Sequence, residues 1–253
     1  FAKNSRICDL SKSLMNHSSR SSIRWHEVTA VFGGTFDPPH LGHLEAVRGL
    51  FQYPGVARVW VLPSATPPHK PTIASPAQRL EMTRLLFQGE KLPIEVQDRE
   101  LVRFTQTGHP SYTFETLQEV RREANPIAFV IGTDQLIQLP KWHRFPEILS
   151  LCHWIVLTRK ESQSNTGDAL VLRTLQEWSQ SGLAKPAGLD WNLLPPTGGS
   201  SFLTLVPTSA PALSSTEIRE SLNLKGLPPE NSLAPAVLAY IQSHRLYGTS
   251  AKR

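Results

Sequence analysis

Cysteine is scarce in this chain of 253 residues, with Cys8 and Cys152 the only two. Two thiols so far apart in sequence suggest neither a disulfide framework nor a zinc site, and a reducing, cytoplasmic setting fits them best. No apolar run approaches the roughly 20 residues that cross a bilayer, so no membrane partner is expected. The Gly-Lys-Ser/Thr of a Walker loop is missing, which sets aside a P-loop phosphate site. No internal repeat occurs. Beyond the first 24 residues there is no basic helix or stripe of the kind that grips nucleic acid.

What is present suits an α/β protein. With 40% hydrophobic and 19% charged residues, the chain can bury one sizeable core, and a single domain is the default. The net charge of +5 favours anionic partners, among which nucleotides rank as readily as nucleic acids. Much of that charge lies in residues 1–24, where Lys3, Arg6, Lys12, Arg20 and Arg24 face a single acid, Asp9, among seven serines. Three readings compete for that segment: a disordered tail, an organellar transit peptide, or translated sequence upstream of a start at Met15. The tail is preferred and is bounded at residues 1–27, with 28–248 as the domain and 249–253 as a second short tail.

From Val28 onward, strand-like and helix-like segments alternate. "VTAVF" precedes a helix near Leu41 to Phe51, "VARVWVL" is a second strand, and "SPAQRLEMTRLLF" is a helix with Ser75 as N-cap and Pro76 in its first turn. After the short strand "PIEVQ", the segment "SYTFETLQEVRREA" reads as a helix capped by Ser111. The runs "PIAFVIG" and "HWIVLTR" have the continuous apolar character of strands buried on both faces, and two short helical pieces broken at Pro140 lie between them. Residues 160–200 lose the pattern around one amphipathic piece and read as a surface insertion. "SFLTLVP" restores it as a last strand, followed by two helices. The layout is a doubly wound, mostly parallel, Rossmann-like sheet, whose ligands belong outside the carboxyl ends of the strands.

One such end carries "FGGTFDPPHLGH", residues 32–43. Gly33 and Gly34 would let the backbone turn sharply toward a bulky ligand, and Pro38 and Pro39 would stiffen the approach to the helix. His40 and His43, at i and i+3, share a face of the first helical turn. Gly42 clears space for an anion there, and free N–H groups at the positive end of the helix dipole complete a phosphate site. Near the other terminus, "SSTEIR" (214–219) offers Ser214 and Thr216 as capping hydroxyls and Arg219 one turn later, so that hydroxyls, amides and a guanidinium converge on one anion. Each motif alone is also compatible with ordinary capping and surface histidines.

"GTFDPPHLGH" after a first strand, paired with "SSTEIR", resembles the signature of the nucleotidyltransferases marked by His-x-Gly-His. With "LPSATPPHK", "SYTFETL" and "IGTDQLIQLPKWHRFPEIL", the chain from Val28 to Tyr247 resembles the bacterial nicotinate mononucleotide adenylyltransferases. That resemblance implies adenylyl transfer from ATP to nicotinate mononucleotide, giving deamido-NAD and pyrophosphate, with Mg2+ required and bound through the ATP phosphates rather than by protein ligands. It assigns His40, His43, Lys70 and Arg219 to catalysis. ATP would be held by Gly33, Gly34, Thr35, Phe36, His40, His43, Gly132, Ser214, Thr216 and Arg219, and the acceptor by Tyr112, Thr113, Asp134 and Trp142. For Asp134 the alternative is a plain helix cap, and for each aromatic it is core packing. "RFTQTGHP" is longer than the family pattern, and Leu213 stands where isoleucine is usual. Related enzymes that use nicotinamide mononucleotide or phosphopantetheine, cytidylyltransferases, and a non-catalytic nucleotide-binding regulator stay open as alternatives, as does a homo-oligomeric state.

Overall fold

Residues with β-branched and aromatic side chains on both faces of a strand need cover on both sides, and the chain supplies it. In the computed structural model, residues 27–53, 55–67, 71–110, 112–159, 166–187 and 190–249 are described. The N-terminal tail, Lys70 and Ser111 lie outside them. Among the described residues, eight strands form one sheet: β1 (Val28–Gly34), β2 (Val56–Pro63), β3 (Ile94–Val96), β4 (Ile127–Gly132), β5 (His153–Arg159), β6 (Ala184–Ala187), β7 (Asp190–Leu193) and β8 (Ser201–Thr208), in the order β3-β2-β1-β4-β5-β8-β7-β6. The pairings from β3 through β8 are parallel, and β7 and β6 continue the sheet antiparallel. The fold is a doubly wound α/β sheet of Rossmann type.

Strand residues alternate between two cores, as the twofold period of a strand requires. Ala30, Val59, Val61, Ala128, Val130 and Ile155 face one core, together with α1 (Leu41–Leu50), α2 (Pro76–Phe87), and two later helices, Ser215–Lys225 and Pro235–Ser243. Val31, Trp60, Leu62, Phe129, Ile131, Trp154 and Val156 face the other, covered by α4 (Thr113–Glu123), α5 (Thr133–Gln138) and α6 (Thr166–Gln180). A nine-residue helix, α3 (Arg99–Thr107), was not expected from its sequence. The two C-terminal helices are α7 (Ser215–Lys225) and α8 (Pro235–Ser243). Among the described residues no helix is long and apolar enough to cross a membrane.

Local signals explain most boundaries. Ser75 caps α2 as expected, accepting from the Gln78 amide, and Gln78 returns a bond to the Ser75 amide to complete a capping box. At α4 the N-cap position is Tyr112, one residue later than the sequence suggested. Pro140 sits inside a 3-10 turn, Leu139–Lys141, that continues α5 rather than breaking it cleanly. Cys152 is buried, and burial pushes its thiol up to about 12, which leaves it inert at neutral pH.

The described part of residues 160–200 is not a surface insertion. Val171, Leu175 and Trp178 of α6 pack into the second core, and β7 pairs with β8 so that Trp191 and Leu193 are buried beside them. The hairpin hides its strand character because β6 is an edge strand, where Lys185 and Pro186 are tolerated. Replacing Trp191 by alanine is expected to cost about 3–5 kcal/mol, the usual range for a large aromatic removed from a core. Chemical denaturation checks this; a loss under about 0.5 kcal/mol would return the hairpin to the surface.

Candidate active site

The chain order reverses direction between β1 and β4: β2 and β3 lie on one side of β1, and β4, β5 and β8 on the other. Helices leave to opposite faces there, and a crevice opens above the strand ends. A cavity of about 1170 Å³ fills it, lined by Gly33 and Gly34 from the end of β1, Gly132 from the end of β4, and loops around them. That exceeds the ~300–1,000 Å³ typical of a pocket for one small ligand.

The glycines serve space rather than turning. Gly33 and Gly34 belong to the extended strand, where an added Cβ would stand 3.0 Å from the Phe129 ring and 2.8 Å from the Phe36 ring respectively. The left-handed conformation falls instead on Phe36 (φ 52°), a strained position for an aromatic residue, held because its ring is buried in the first core. Gly42 likewise does not simply make room for an anion: a Cβ there would meet the His40 ring at 2.9 Å and the Pro211 carbonyl at 3.1 Å. The helix start is also less open than expected, since the Leu41 amide donates to the Ser232 carbonyl and the His43 and Leu44 amides to the His40 carbonyl.

Side chains therefore carry more of the anion site. His40 is the N-cap of α1, and its ring stacks on that of His43 with centroids 3.7 Å apart. The His40 backbone N–H donates to His43 Nδ1 at 3.1 Å, which places the proton of a neutral His43 on Nε2 as a donor. Both histidines line the cavity.

The second motif meets the first directly. Arg219 Nη1 donates to the Asp37 carbonyl at 2.6 Å, and Ser215 Oγ donates to the Pro38 carbonyl at 2.9 Å, although about 180 residues separate the partners. Ser215 and Arg219 line the cavity. Ser214 and Thr216 stand off its wall: Ser214 Oγ accepts from the Thr216 amide to cap α7, and Thr216 Oγ1 accepts from Arg219 at 3.2 Å. Ser215, rather than its neighbours, is the hydroxyl in contact, a choice that spacing alone could not make.

Beneath the motif loop lies a polar knot that sequence reasoning missed. Arg79 of α2 is fully buried, and its guanidinium donates to the carbonyls of Thr35 (2.7 Å), Ser64 (2.6 Å), Ala65 (2.6 Å) and Ala74 (3.3 Å). The Asp37 carboxylate accepts from the Ile73 amide at 2.8 Å, the Ala74 amide at 3.2 Å and the Tyr247 hydroxyl at 2.7 Å. Burial pulls the Arg79 guanidinium down from its ordinary value while Asp37 opposes the shift; burial and the bond to Asp37 push the Tyr247 hydroxyl up.

Tyr112, Thr113, Gly132, Asp134 and Trp142 also line the cavity. Trp142 is half-buried, its ring edge-on to Phe129 at 6.2 Å. His143, not foreseen, also lines the cavity and lies 4.5 Å from the Tyr112 ring. Gln135 Oε1, not Asp134, accepts the Gly132 amide in the cap of α5, leaving the Asp134 carboxylate exposed on the cavity wall.

Comparison with known proteins gives the family and the fold. The family described as cytidylyltransferase-like matches residues 31–221. A Serratia proteamaculans protein named "Probable nicotinate-nucleotide adenylyltransferase" is 40% identical over 222 residues, 86% of this chain and 94% of that protein. One of the same name from Pectobacterium atrosepticum is 39% identical over 224 residues, 87% of this chain and 98% of that protein. The chain belongs to the nicotinate-nucleotide adenylyltransferase family. Its fold is shared with a solved Plasmodium falciparum nicotinic acid mononucleotide adenylyltransferase complexed with APC (TM-score 0.63, 14% identity, covering 90% of this chain and all of that one). A second structure of that protein, complexed with NaAD, superposes with a TM-score of 0.58 at 15% identity, again over 90% of this chain and all of that one.

Proposed function

We propose that the cavity transfers the adenylyl group of ATP to nicotinate mononucleotide, forming deamido-NAD and pyrophosphate in NAD biosynthesis. The observation that carries this reading is the direct contact of the two motifs at the switch point, Arg219 on the Asp37 carbonyl beside the stacked His40 and His43. A triphosphate placed there meets imidazole and guanidinium donors, and the base and ribose lie along Gly33, Gly34, Thr35, Phe36 and Gly132. The acceptor lies toward Tyr112, Thr113, Asp134 and Trp142, and the cavity has the volume for both nucleotides.

The 5′-phosphate of the acceptor attacks the α-phosphorus in line, and the bond from that phosphorus to the bridging oxygen of pyrophosphate breaks. No covalent enzyme intermediate forms. The attacking phosphate is already ionised, so no general base is required; positioning and stabilisation of charge developing toward pyrophosphate supply the catalysis. His43, fixed as an Nε2 donor, and Arg219 take that charge, while Ser214 and Thr216 act through the cap of α7 and the orientation of Arg219. Lys70 is assigned to the same phosphates.

The donor set at this end of the cavity, two imidazoles and a guanidinium, suits phosphate oxygens, and a hard cation takes oxygen ligands of the kind a triphosphate itself provides. Mg2+ is therefore assigned to the phosphates that these residues hold, where it would neutralise part of the leaving group's charge.

Two measurements test the reading. Replacing His43 by alanine should lower kcat by about two orders of magnitude or more, the scale of losing a charge-stabilising donor, with the fold intact. Near-normal turnover in a folded variant would remove His43 from the mechanism. Pyrophosphate release with ATP and a panel of acceptors should favour nicotinate mononucleotide over nicotinamide mononucleotide by about thirtyfold or more in kcat/KM. Donors arranged for a carboxylate lose a charge-assisted bond to the amide, at roughly 2–4 kcal/mol. Equal efficiency with both would leave only the adenylyltransferase class.

A further inference from the structure

Glu100 is a buried carboxylate on the cavity wall for which the proposed chemistry has no use. It lies in the first turn of α3, is 8% exposed, and lines the cavity near Tyr112, Thr113 and Thr116. Its Oε1 accepts from the Thr116 hydroxyl at 2.9 Å, and Thr116 Oγ1 in turn accepts from Arg103, which is ion-paired to Glu119 at 2.6 Å. Burial pushes the Glu100 carboxyl up from the ordinary range, opposed by Thr116 and Arg103.

Thr116 leads directly to the acceptor end. Its backbone amide donates to the Tyr112 carbonyl at 3.2 Å, closing the first turn of α4, and Thr113 lies within that turn. We propose that Glu100 is a positioning residue for the acceptor: by holding the Thr116 hydroxyl from α3, it fixes the first turn of α4, and with it Tyr112 and Thr113, against α3. This rests on the assignment of Tyr112 and Thr113 to the acceptor. A buried carboxylate is a costly way to join two helices that an apolar side chain could merely pack between. What the carboxylate adds is direction, since it accepts from a hydroxyl that in turn accepts from Arg103.

Steady-state kinetics on the wild type, Glu100→Ala, Glu100→Gln, Thr116→Val and the Glu100→Ala/Thr116→Val pair, with ATP and nicotinate mononucleotide varied separately, test the proposal. Glu100→Ala should raise the acceptor KM about tenfold and leave the ATP KM within about twofold, the signature of lost binding on one side only. Glu100→Gln, which keeps an acceptor oxygen, should stay within about threefold of the wild type. Thr116→Val should act like Glu100→Ala, and the pair should be no worse than either single variant because both break the same bond. An unmoved acceptor KM, an ATP KM that rises equally, or no rescue by glutamine would overturn the proposal. If Glu100→Ala does not fold, Thr116→Val decides by the same split. A wild type inactive with nicotinate mononucleotide would remove the acceptor assignment and this role with it; an active wild type with an unaltered acceptor KM in Glu100→Ala removes this role alone.

Discussion

The active site depends on one buried guanidinium. Arg79 lies at the heart of the polar layer under the motif loop, and its N–H groups reach carbonyls in three separate segments: Thr35 after β1, Ser64 and Ala65 after β2, and Ala74 before α2. Loops normally run over the surface because buried main-chain carbonyls need donors. Here a single planar fork satisfies four of them, which lets two strand-end loops close over each other instead of splaying into solvent. The cost of burying the charge is offset by these bonds and by the nearby Asp37 carboxylate.

Asp37 extends the same restraint to the ends of the chain's fold. Its carboxylate holds Ile73, Ala74 and Tyr247, while its carbonyl receives Arg219 from α7. The residue most central to the quoted motif thus touches no phosphate in this account; it keeps in register the two motifs proposed to bind the phosphates. His40 and His43 can be presented by a helix start that is partly closed by Ser232 because the loop ahead of them is immobilised from below.

The central sheet was legible because β1, β2, β4 and β5 are apolar on both faces, and helix α2 because Ser75 and Pro76 mark its start. The pairing of His40 and His43 followed from helical spacing alone. What stayed hidden did so for physical reasons. Helix α3 is only nine residues long, polar on average, and bound to α4 through Arg99–Glu123 and Arg103–Glu119 ion pairs, so little in its sequence announces it. Strands β6 and β7 are four residues each and include an edge proline. Arg79 reads as one more polar residue of an amphipathic helix, since nothing local reports that loops from three other places will converge on it. The glycines of the motif were found, but their reason was steric contact with Phe129, Phe36 and His40, which only the tertiary structure supplies.

The measurement closest to the centre of this account is ATP affinity and thermal stability in Arg79→Lys. Lysine keeps the charge and much of the length but offers its donors from one point, so it cannot reach four carbonyls at once, and each buried group left unpaired costs about 1–3 kcal/mol. The variant should lose about 2–4 kcal/mol of stability and bind ATP about tenfold or more weakly, because the loop that orients His40, His43 and Arg219 is no longer held. Unchanged ATP affinity together with unchanged melting would contradict it and place the restraint on the motif loop elsewhere.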